Sequence, residues 1–266
     1  MAHVSEPRRA LVIHAFLAIH ALLALALSAS AARAQLPADS VVVPRRIRPA
    51  VAALRPGQFV YQMTLERDVS SIIIGTRTVT VAQSSYAGSP AWLMVEARQG
   101  QGIDAADSLY ATLDSLRPIH WGSVQGPSRL ATEFRGDSAF GATAVPGGRR
   151  SVITAVPTAT LVSSAMLETV LRLLPLSVAW EDSASTLSIT PASNALVPTR
   201  LSVIGEDRVQ VPAGMFDCWV VAVHAGDQGR GLYWVTKRDP IVVRSALDVP
   251  TLGGAQLVSA LTRISR

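Results

Sequence analysis

Apolar and polar residues alternate with a period of two along most of the chain after Gly57. In the clearest run, Phe59, Tyr61, Met63 and Leu65 occupy every second position, which is typical of a strand with one buried face. Short polar turns, most of them containing glycine, separate this run from those that follow, so the pattern predicts an antiparallel meander. Further strands are predicted at residues 71–82, 91–98, 108–116, 129–135, 139–145, 186–190, 199–205, 208–211, 216–224, 231–236, 241–246 and 256–264.

One segment has a helical period instead. Four apolar residues recur at helical spacing within residues 160–174, with Thr158 or Thr160 available as the N-cap and Pro175 as the stop. These four residues are Leu167, Val170, Leu171 and Leu174. The order of elements predicts a mainly β fold, in which a curved antiparallel sheet, an incomplete barrel, wraps around one central amphipathic helix.

The N-terminal segment has the three parts of a secretory leader. Arg8 and Arg9 form a basic region, an apolar run extends from Ala10 to about Leu27, and small residues end at Ala34. We expect cleavage after Ala34, export to the periplasm or cell envelope, and no transmembrane segment in the mature chain. A retained membrane anchor is the alternative, because the run approaches the roughly 20 residues that span a bilayer. General secretion and twin-arginine export both remain open.

The segment after the leader predicts an extended arm. Residues 35–57 contain four prolines and four arginines, a spacing that suits neither a helix nor a strand. The predicted organisation is therefore a signal peptide at residues 1–34, a Pro/Arg-rich arm at residues 35–57, and a single antiparallel β domain at residues 58–266.

Charge and cysteine content exclude several classes of protein. Removing the leader leaves 21 basic and 18 acidic residues, a net charge of +3, which is too low to indicate nucleic-acid binding. Cys218 is the only cysteine, so it cannot form an internal disulfide. Because Cys218 lies in an apolar strand pattern, we expect a buried, inert thiol.

Few residues suggest catalysis or metal binding. Outside the leader the only histidines are His120 and His224; neither has the spacing of a metal ligand, so we expect no metal and no cofactor. His120 is predicted at a turn or strand edge. Ser138, in a Gly-Asp-Ser sequence, resembles the nucleophile block of one esterase family, but the Asp-x-x-His of that family is absent. The carboxylates at 181–182 and 206–207 are predicted to face solvent in loops. Taken together, these residues predict a protein that is not an enzyme.

The second half of the chain resembles a known group of proteins. Residues 211–221 (VPAGMFDCWVV) and 231–244 (GLYWVTKRDPIVVR) carry the resemblance, together with Leu-Leu-Pro-Leu at 173–176 and Gly-Gly-Ala-Gln-Leu at 253–257. They are similar to an uncharacterised exported family, a domain of unknown function, whose domains resemble the LolA/LolB lipoprotein carriers. That resemblance implies a curved antiparallel sheet around helices, with an apolar hollow that takes up acyl chains.

These observations lead to one functional hypothesis and two alternatives. We expect a periplasmic or envelope protein that is not catalytic and holds a lipid or acyl chain between the curved sheet and the helix. An envelope scaffold that recruits a protein partner through the Pro/Arg arm is the alternative, and a secreted serine esterase that uses Ser138 is the third. The predicted ligand-binding residues are Leu167, Val170, Leu171, Leu174, Trp219 and Trp234.

Overall fold

Fifteen strands form one sheet in the computed structural model, which describes residues 47–145, 148–155, 160–189, 194–226, 229–249 and 252–266. The predicted leader and the first part of the arm lie outside these residues. The strands are β1 (Gly57–Arg67), β2 (Ser70–Tyr86), β3 (Ser89–Gly100), β4 (Ile103–Ala111), β5 (Pro118–Gln125), β6 (Ser128–Arg135), β7 (Ser138–Val145), β8 (Gly148–Ala155), β9 (Thr160–Leu161), β10 (Glu181–Ile189), β11 (Asn194–Val211), β12 (Gly214–Ala225), β13 (Arg230–Thr236), β14 (Val242–Val249) and β15 (Ala255–Ser265).

The sheet consists of two meanders joined by the first and last strands. β1 to β8 follow one another in space in chain order, and so do β10 to β15. The meanders meet where β15 pairs antiparallel with β1, for example Tyr61 opposite Leu261. Among the described strand pairs, only the two-residue β9 is parallel to its neighbour, β10. The pairing of β1 with β15 brings residues about 200 positions apart in the chain into the same core.

The sheet curves back on itself without closing into a barrel. β8 and β9 are the two ends of the strand order, yet Cα atoms of β8 come within 8 Å of Cα atoms of β11. A flat sheet cannot bring such distant strands together, so the sheet must curl. The predicted fold class, a curved and mainly antiparallel β-sheet with one helix, is confirmed.

The helix α1 (Ser164–Leu171) packs inside the curve, against β3. It is shorter than the predicted 160–174, and its N-cap is Ser163, whose Oγ accepts a hydrogen bond from the N–H of Met166 at 3.1 Å. The predicted cap Thr160 lies in β9 instead, because pairing with β10 keeps the chain extended up to that point. Within the described residues, no helix has the length and apolar character needed to cross a membrane.

The described part of the predicted arm is docked on the domain. The N–H of Ala50 donates to the carbonyl of Leu173 at 2.9 Å, just after α1. Residues Val51–Ala53 form a single 3-10 turn, and the side chains of Val51 and Leu54 are 8% and 3% exposed. Residues 47–56 therefore belong to the folded domain, because their apolar side chains complete its core.

Several strands differ from the prediction. β5 and β8 were not predicted, and the predicted end of β4 at residue 116 was wrong, since β4 ends at Ala111. The two strands predicted at 199–205 and 208–211 form one long strand, β11, with a register shift beside Ile204.

The carboxylates at 181–182 and 206–207 lie in strands β10 and β11, not in loops as predicted. An exposed strand face accommodates charge as readily as a loop does.

Candidate functional site

A network of buried charges lies between α1 and the inner face of the sheet. Arg77 of β2 donates to Oε1 of Glu168 in α1 at 2.7 Å and to Oε2 of Glu96 in β3 at 2.9 Å. All three side chains are buried, and Ser164, at the start of the helix, also donates to Glu96. Polar contacts therefore fix α1 on the sheet in addition to its apolar packing.

The network continues along the sheet to β4. Nη2 of Arg98 lies 2.7 Å from Oδ2 of Asp107, and Nε of Arg98 lies 3.4 Å from Oε1 of Glu96. Oδ1 of Asp107 and Oε2 of Glu168 are buried without a hydrogen-bond partner in the described part of the chain. Three carboxyls thus share two guanidinium groups, so the network does not balance when every carboxyl is ionised.

The carboxyls of the network differ in pKa. Burial opposes ionisation of Glu96, but the guanidinium of Arg77, aided by Arg98 and Ser164, outweighs it and lowers the pKa of Glu96 to about 2. Burial raises the pKa of Glu168, because Arg77 only partly offsets it and Glu96 adds repulsion. Burial likewise raises the pKa of Asp107 despite its contact with Arg98. Glu96 is therefore the firmly ionised member.

The four predicted ligand-binding residues near the helix lie together in the core. Val170, Leu171 and Leu174 are buried, and Leu167 is half-buried and packs against the same apolar cluster. Val81 and Leu109, buried side chains of the sheet, belong to that cluster. The structure thus brings these four residues together in contact with protein side chains, and their role in binding a ligand stays a prediction.

The two predicted tryptophans also contact this apolar cluster, Trp234 as a buried member and Trp219 as a half-buried neighbour. The indole Nε1 of Trp234 donates to Oδ2 of Asp207 at 2.9 Å, and the guanidinium of Arg244 lies 4.9 Å from the centre of its ring. Trp219 is half-buried beneath Lys237, whose Nζ lies 4.4 Å from the ring centre. Both rings make cation–π contacts with protein cations as well.

A second candidate lies on the opposite face of the first meander. Asp107 points to the inner face beside Glu96, so the next residue, Ser108, points to the outer face. The register places four small residues in one row across β4 to β7, and we call this row the trough floor. It consists of Ser108, Gly122, Ala131 and Ala142. A row of small side chains leaves a depression about 14 Å long across four strands.

Two further rows in register form the walls of this trough, and in the second wall only Val124 and Arg129 are larger than the floor residues. The first wall is the row Tyr110, His120, Glu133 and Phe140, and the second is the row Ala106, Val124, Arg129 and Ala144. The floor and most wall residues line a groove of about 860 Å³, within the size range of sites for small ligands. Phe140 and Val124 are 41% and 38% exposed, so the trough presents apolar surface to solvent.

A set of aromatic and charged groups stiffens the first wall. Nδ1 of His120 lies 2.8 Å from Oε1 of Glu133 on the neighbouring strand, and the Tyr86 hydroxyl donates to the same oxygen. The rings of Tyr86 and His120 stack with their centres 5.1 Å apart, and Tyr110 packs against Tyr86 at 4.9 Å. The hydrogen bond to Glu133 raises the pKa of Tyr86 to about 12. His120 therefore has a fixed orientation on the wall.

Two arginines stand at the other side of the trough. Arg129 in β6 and Arg149 in β8 are exposed and line the groove. Arg129 donates to the carbonyls of Gly126 and Ser128 in its own turn. Within the described residues, neither arginine pairs with a carboxylate. This side of the trough is therefore positively charged.

The remaining candidate residues, Ser138, Cys218 and His224, lie in strands of the sheet. In the described ranges, no group of three or more His, Cys, Asp or Glu residues is placed to hold a metal ion. Ser138 begins β7, opposite Arg135 across a hairpin turn. His224 pairs with Arg200 and Arg230 in the sheet. Cys218 is buried, and burial, with Asp207 nearby, raises its pKa to about 12, so the predicted inert thiol fits this environment.

The trough was missed by the sequence reasoning because its residues come from four strands. Ser108, Gly122, Ala131 and Ala142 form a row only through the register of the sheet. One usable signal was present in residues 118–125, where Ile119, Trp121 and Ser123 alternate with His120 and Gly122. That alternation indicates a strand with His120 on the face of the small residues.

Comparisons with known proteins give a family without a known activity. A family model described as "Protein of unknown function (DUF3108)" matches residues 60–255. No curated protein matches the chain. A solved structure from Bacteroides fragilis NCTC 9343, described as a putative exported protein with a YmcC-like fold, is 12% identical and covers 83% of this chain and 99% of its own, with a TM-score of 0.29. A TM-score this low supports no conclusion about this chain. The resemblance to the LolA/LolB carriers stays a prediction.

Proposed function

The chain belongs to the DUF3108 family, and we propose that it is an exported, non-catalytic protein that binds an acyl chain with an anionic end group in the outer trough. The observation that carries this proposal is a groove of about 860 Å³ with a floor of small residues and with Arg129 and Arg149 on its rim. The leader pattern of residues 1–34 supports export.

The trough suits an acyl chain better than the inner face of the sheet does. The side chains predicted to line the inner hollow, such as Val170 and Leu171, are already buried against protein. A chain inserted there would have to displace core side chains, at the energetic cost that accompanies overpacking. In the trough, a chain covers apolar surface that is otherwise exposed.

The dimensions and chemistry of the trough fit this ligand. Each methylene group that leaves water contributes about 0.8 kcal/mol to the free energy of binding. Burial of an acyl chain across β4 to β7 therefore offsets a large part of the cost of association. Ala131 and Ala142 keep the floor low, while Phe140 and Val124 offer apolar contacts from the two walls. Arg129 and Arg149 supply the charge that pairs with a carboxylate or phosphate.

Calorimetric titration with dodecanoate tests the proposal. The double change Arg129→Ala and Arg149→Ala should weaken binding about 10- to 100-fold, since a hydrogen bond to a charged group contributes about 1.5–3 kcal/mol. Ala131→Leu should weaken it too, because the larger side chain fills the floor. Arg208→Ala, an exposed arginine of β11 that lies 3.8 Å from Asp217, is the control and should bind as the unchanged protein does.

Two outcomes would overturn the proposal. One is the absence of binding by every acyl anion tested on the unchanged protein, dodecanoate included. The other is binding that persists at full affinity after both the arginine and the Ala131→Leu changes, which would move the ligand away from the trough. Native mass spectrometry of protein purified from its own host's envelope adds an independent readout, because a co-purifying acyl compound identifies the natural ligand class.

A further inference from the structure

The imidazole of His120 is held so that its free nitrogen faces the trough. Its Nδ1 is tied to Glu133 at 2.8 Å, and its ring is stacked on Tyr86 at an interplanar angle of 19°. A Cβ atom added to Gly122 would lie 3.6 Å from Nε2 of His120. Nε2 therefore lies directly over the glycine of the trough floor.

The partner on Nδ1 determines the hydrogen-bonding role of Nε2. Burial opposes ionisation of Glu133, but the hydrogen bonds from Tyr86 and His120 outweigh it and lower the pKa of this carboxyl. A carboxylate only accepts hydrogen bonds, so in the neutral ring the proton is on Nδ1 and Nε2 keeps its lone pair. In that neutral tautomer, the group that His120 presents to the trough is an acceptor.

Ser108 adds a second polar atom at the same point. Its Oγ lies 3.1 Å from the position that a Cβ atom on Gly122 would occupy. The absence of a side chain at Gly122 thus leaves a small space in the trough floor, with Nε2 of His120 and Oγ of Ser108 on its border. A hydroxyl oxygen both donates and accepts, so this space suits a ligand group with at least one donor.

The distance from this space to the charged rim sets the spacing of groups in the ligand. Val124 follows Gly122 by two residues on the same face and is opposite Arg129, which places the Cα atoms of Gly122 and Arg129 about 8 Å apart. An anionic group bound on the Arg129 side of the trough therefore belongs to the same end of the ligand as a group held over Gly122.

We infer that the trough selects ligands with a hydrogen-bond donor, a hydroxyl or an amide N–H, a few bonds from the anionic end of the acyl chain. Hydroxy acids and N-acyl amino acids have this chemistry. The inference rests on the proposed function and adds the ligand class. A ligand without a donor leaves the acceptor of this site unpaired and therefore binds less tightly. Because the site is partly exposed, we expect the affinity for a ligand with a donor to be about 10-fold higher.

Titration of one protein with three ligands tests the inference: dodecanoate, β-hydroxydodecanoate and N-decanoylglycine. The two ligands with a donor should bind about 10-fold more tightly than dodecanoate. His120→Phe keeps a ring on Tyr86 but removes Nε2, and it should abolish this ratio. Gly122→Ala should reduce it, because the new methyl group fills the space. His224→Phe, which changes an exposed histidine of β12, is the matched control and should keep the ratio.

The outcomes separate this inference from the proposed function. Equal affinities for the three ligands in the unchanged protein would overturn the inference while leaving acyl binding in place. A preference that persists in His120→Phe would also overturn it, because a group other than His120 would then accept the hydrogen bond from the ligand. If none of the three ligands binds, the proposed function fails together with the inference.

Discussion

Arg77 in β2 donates a hydrogen bond of 2.7 Å to Glu168 in α1, and the two residues are 91 positions apart in the chain. The same guanidinium binds Glu96 in β3. One arginine thus connects the helix to two strands of the curved sheet. Removing one member of such a buried group leaves an uncompensated charge, whereas an exposed ion pair contributes little.

Glu96→Gln should destabilise the protein by about 3–5 kcal/mol. Glu96 accepts hydrogen bonds from Arg77 and Ser164, and both donors lose their anionic acceptor in the variant. Urea unfolding at neutral pH measures the effect. Glu181→Gln, which breaks an exposed pair with Arg200, is the control and should leave the unfolding midpoint nearly unchanged. Equal effects of the two changes would contradict the structural role of the network.

Glu168→Gln should be milder than Glu96→Gln. Burial raises the pKa of Glu168, so keeping this carboxyl ionised at neutral pH opposes folding, and an amide removes that cost while still accepting from Arg77. The comparison uses the same urea unfolding experiment. A loss for Glu168→Gln as large as that for Glu96→Gln would show that both carboxylates are equally required.

Stability should pass through a maximum at mildly acidic pH. The pKa of Glu96 is lowered from 4.5 to about 2, so its contribution, about 3 kcal/mol, is present above pH 4.5 and disappears as the pH falls toward 2. The pKa values of Glu168 and Asp107 are raised, so their ionisation reduces stability as the pH rises above their ordinary values. Unfolding measured across this pH range should show both limbs, and Glu96→Gln should flatten the acid limb.

Gly141→Ala should destabilise the sheet by about 1–3 kcal/mol. A Cβ atom on Gly141 would lie 2.2 Å from the carbonyl oxygen of Ala131 and 2.8 Å from Cα of Thr132, so β6 and β7 would have to separate. Because Ala131 and Ala142 belong to the trough floor, dodecanoate binding should weaken as well. Gly205→Ala is the control, since nothing lies within 4 Å of its added Cβ. Equal thermal midpoints for the two variants would refute the close approach of β6 and β7.

Leu54→Ala should cost about 2–5 kcal/mol, the usual range for a buried leucine. Leu54 is 3% exposed although it lies in the segment predicted to be an extended arm. Arg55→Ala changes an exposed neighbour and should have little effect on the thermal midpoint. A tolerated Leu54→Ala would support an arm independent of the domain, as the scaffold alternative requires. Deletions that probe that alternative should therefore retain residues 47–56.

The local sequence pattern predicted the strands that have a strong apolar signal. It failed where tertiary contacts determine whether a segment is a strand and where an element begins. β1 and β12 were predicted within a few residues, because the alternation in β1 and the apolar run in β12 are local signals that do not depend on a partner. β5 was missed because Gly122 and Pro118 weaken its pattern, and only pairing with β4 and β6 makes it a strand. The helix was predicted too long, since pairing of β9 with β10 determines where the extended chain ends.

The sequence by itself determined the class of the fold: alternation with a period of two specifies strands, short turns specify antiparallel neighbours, and a single helical period specifies the helix. The tertiary structure alone decided which residues share a row of the sheet. The register brought Ser108, Gly122 and Ala131 into one line and placed His120 beside Glu133. The reason is physical: the period within a strand is local, whereas register depends on the combined packing of both faces of every neighbouring strand.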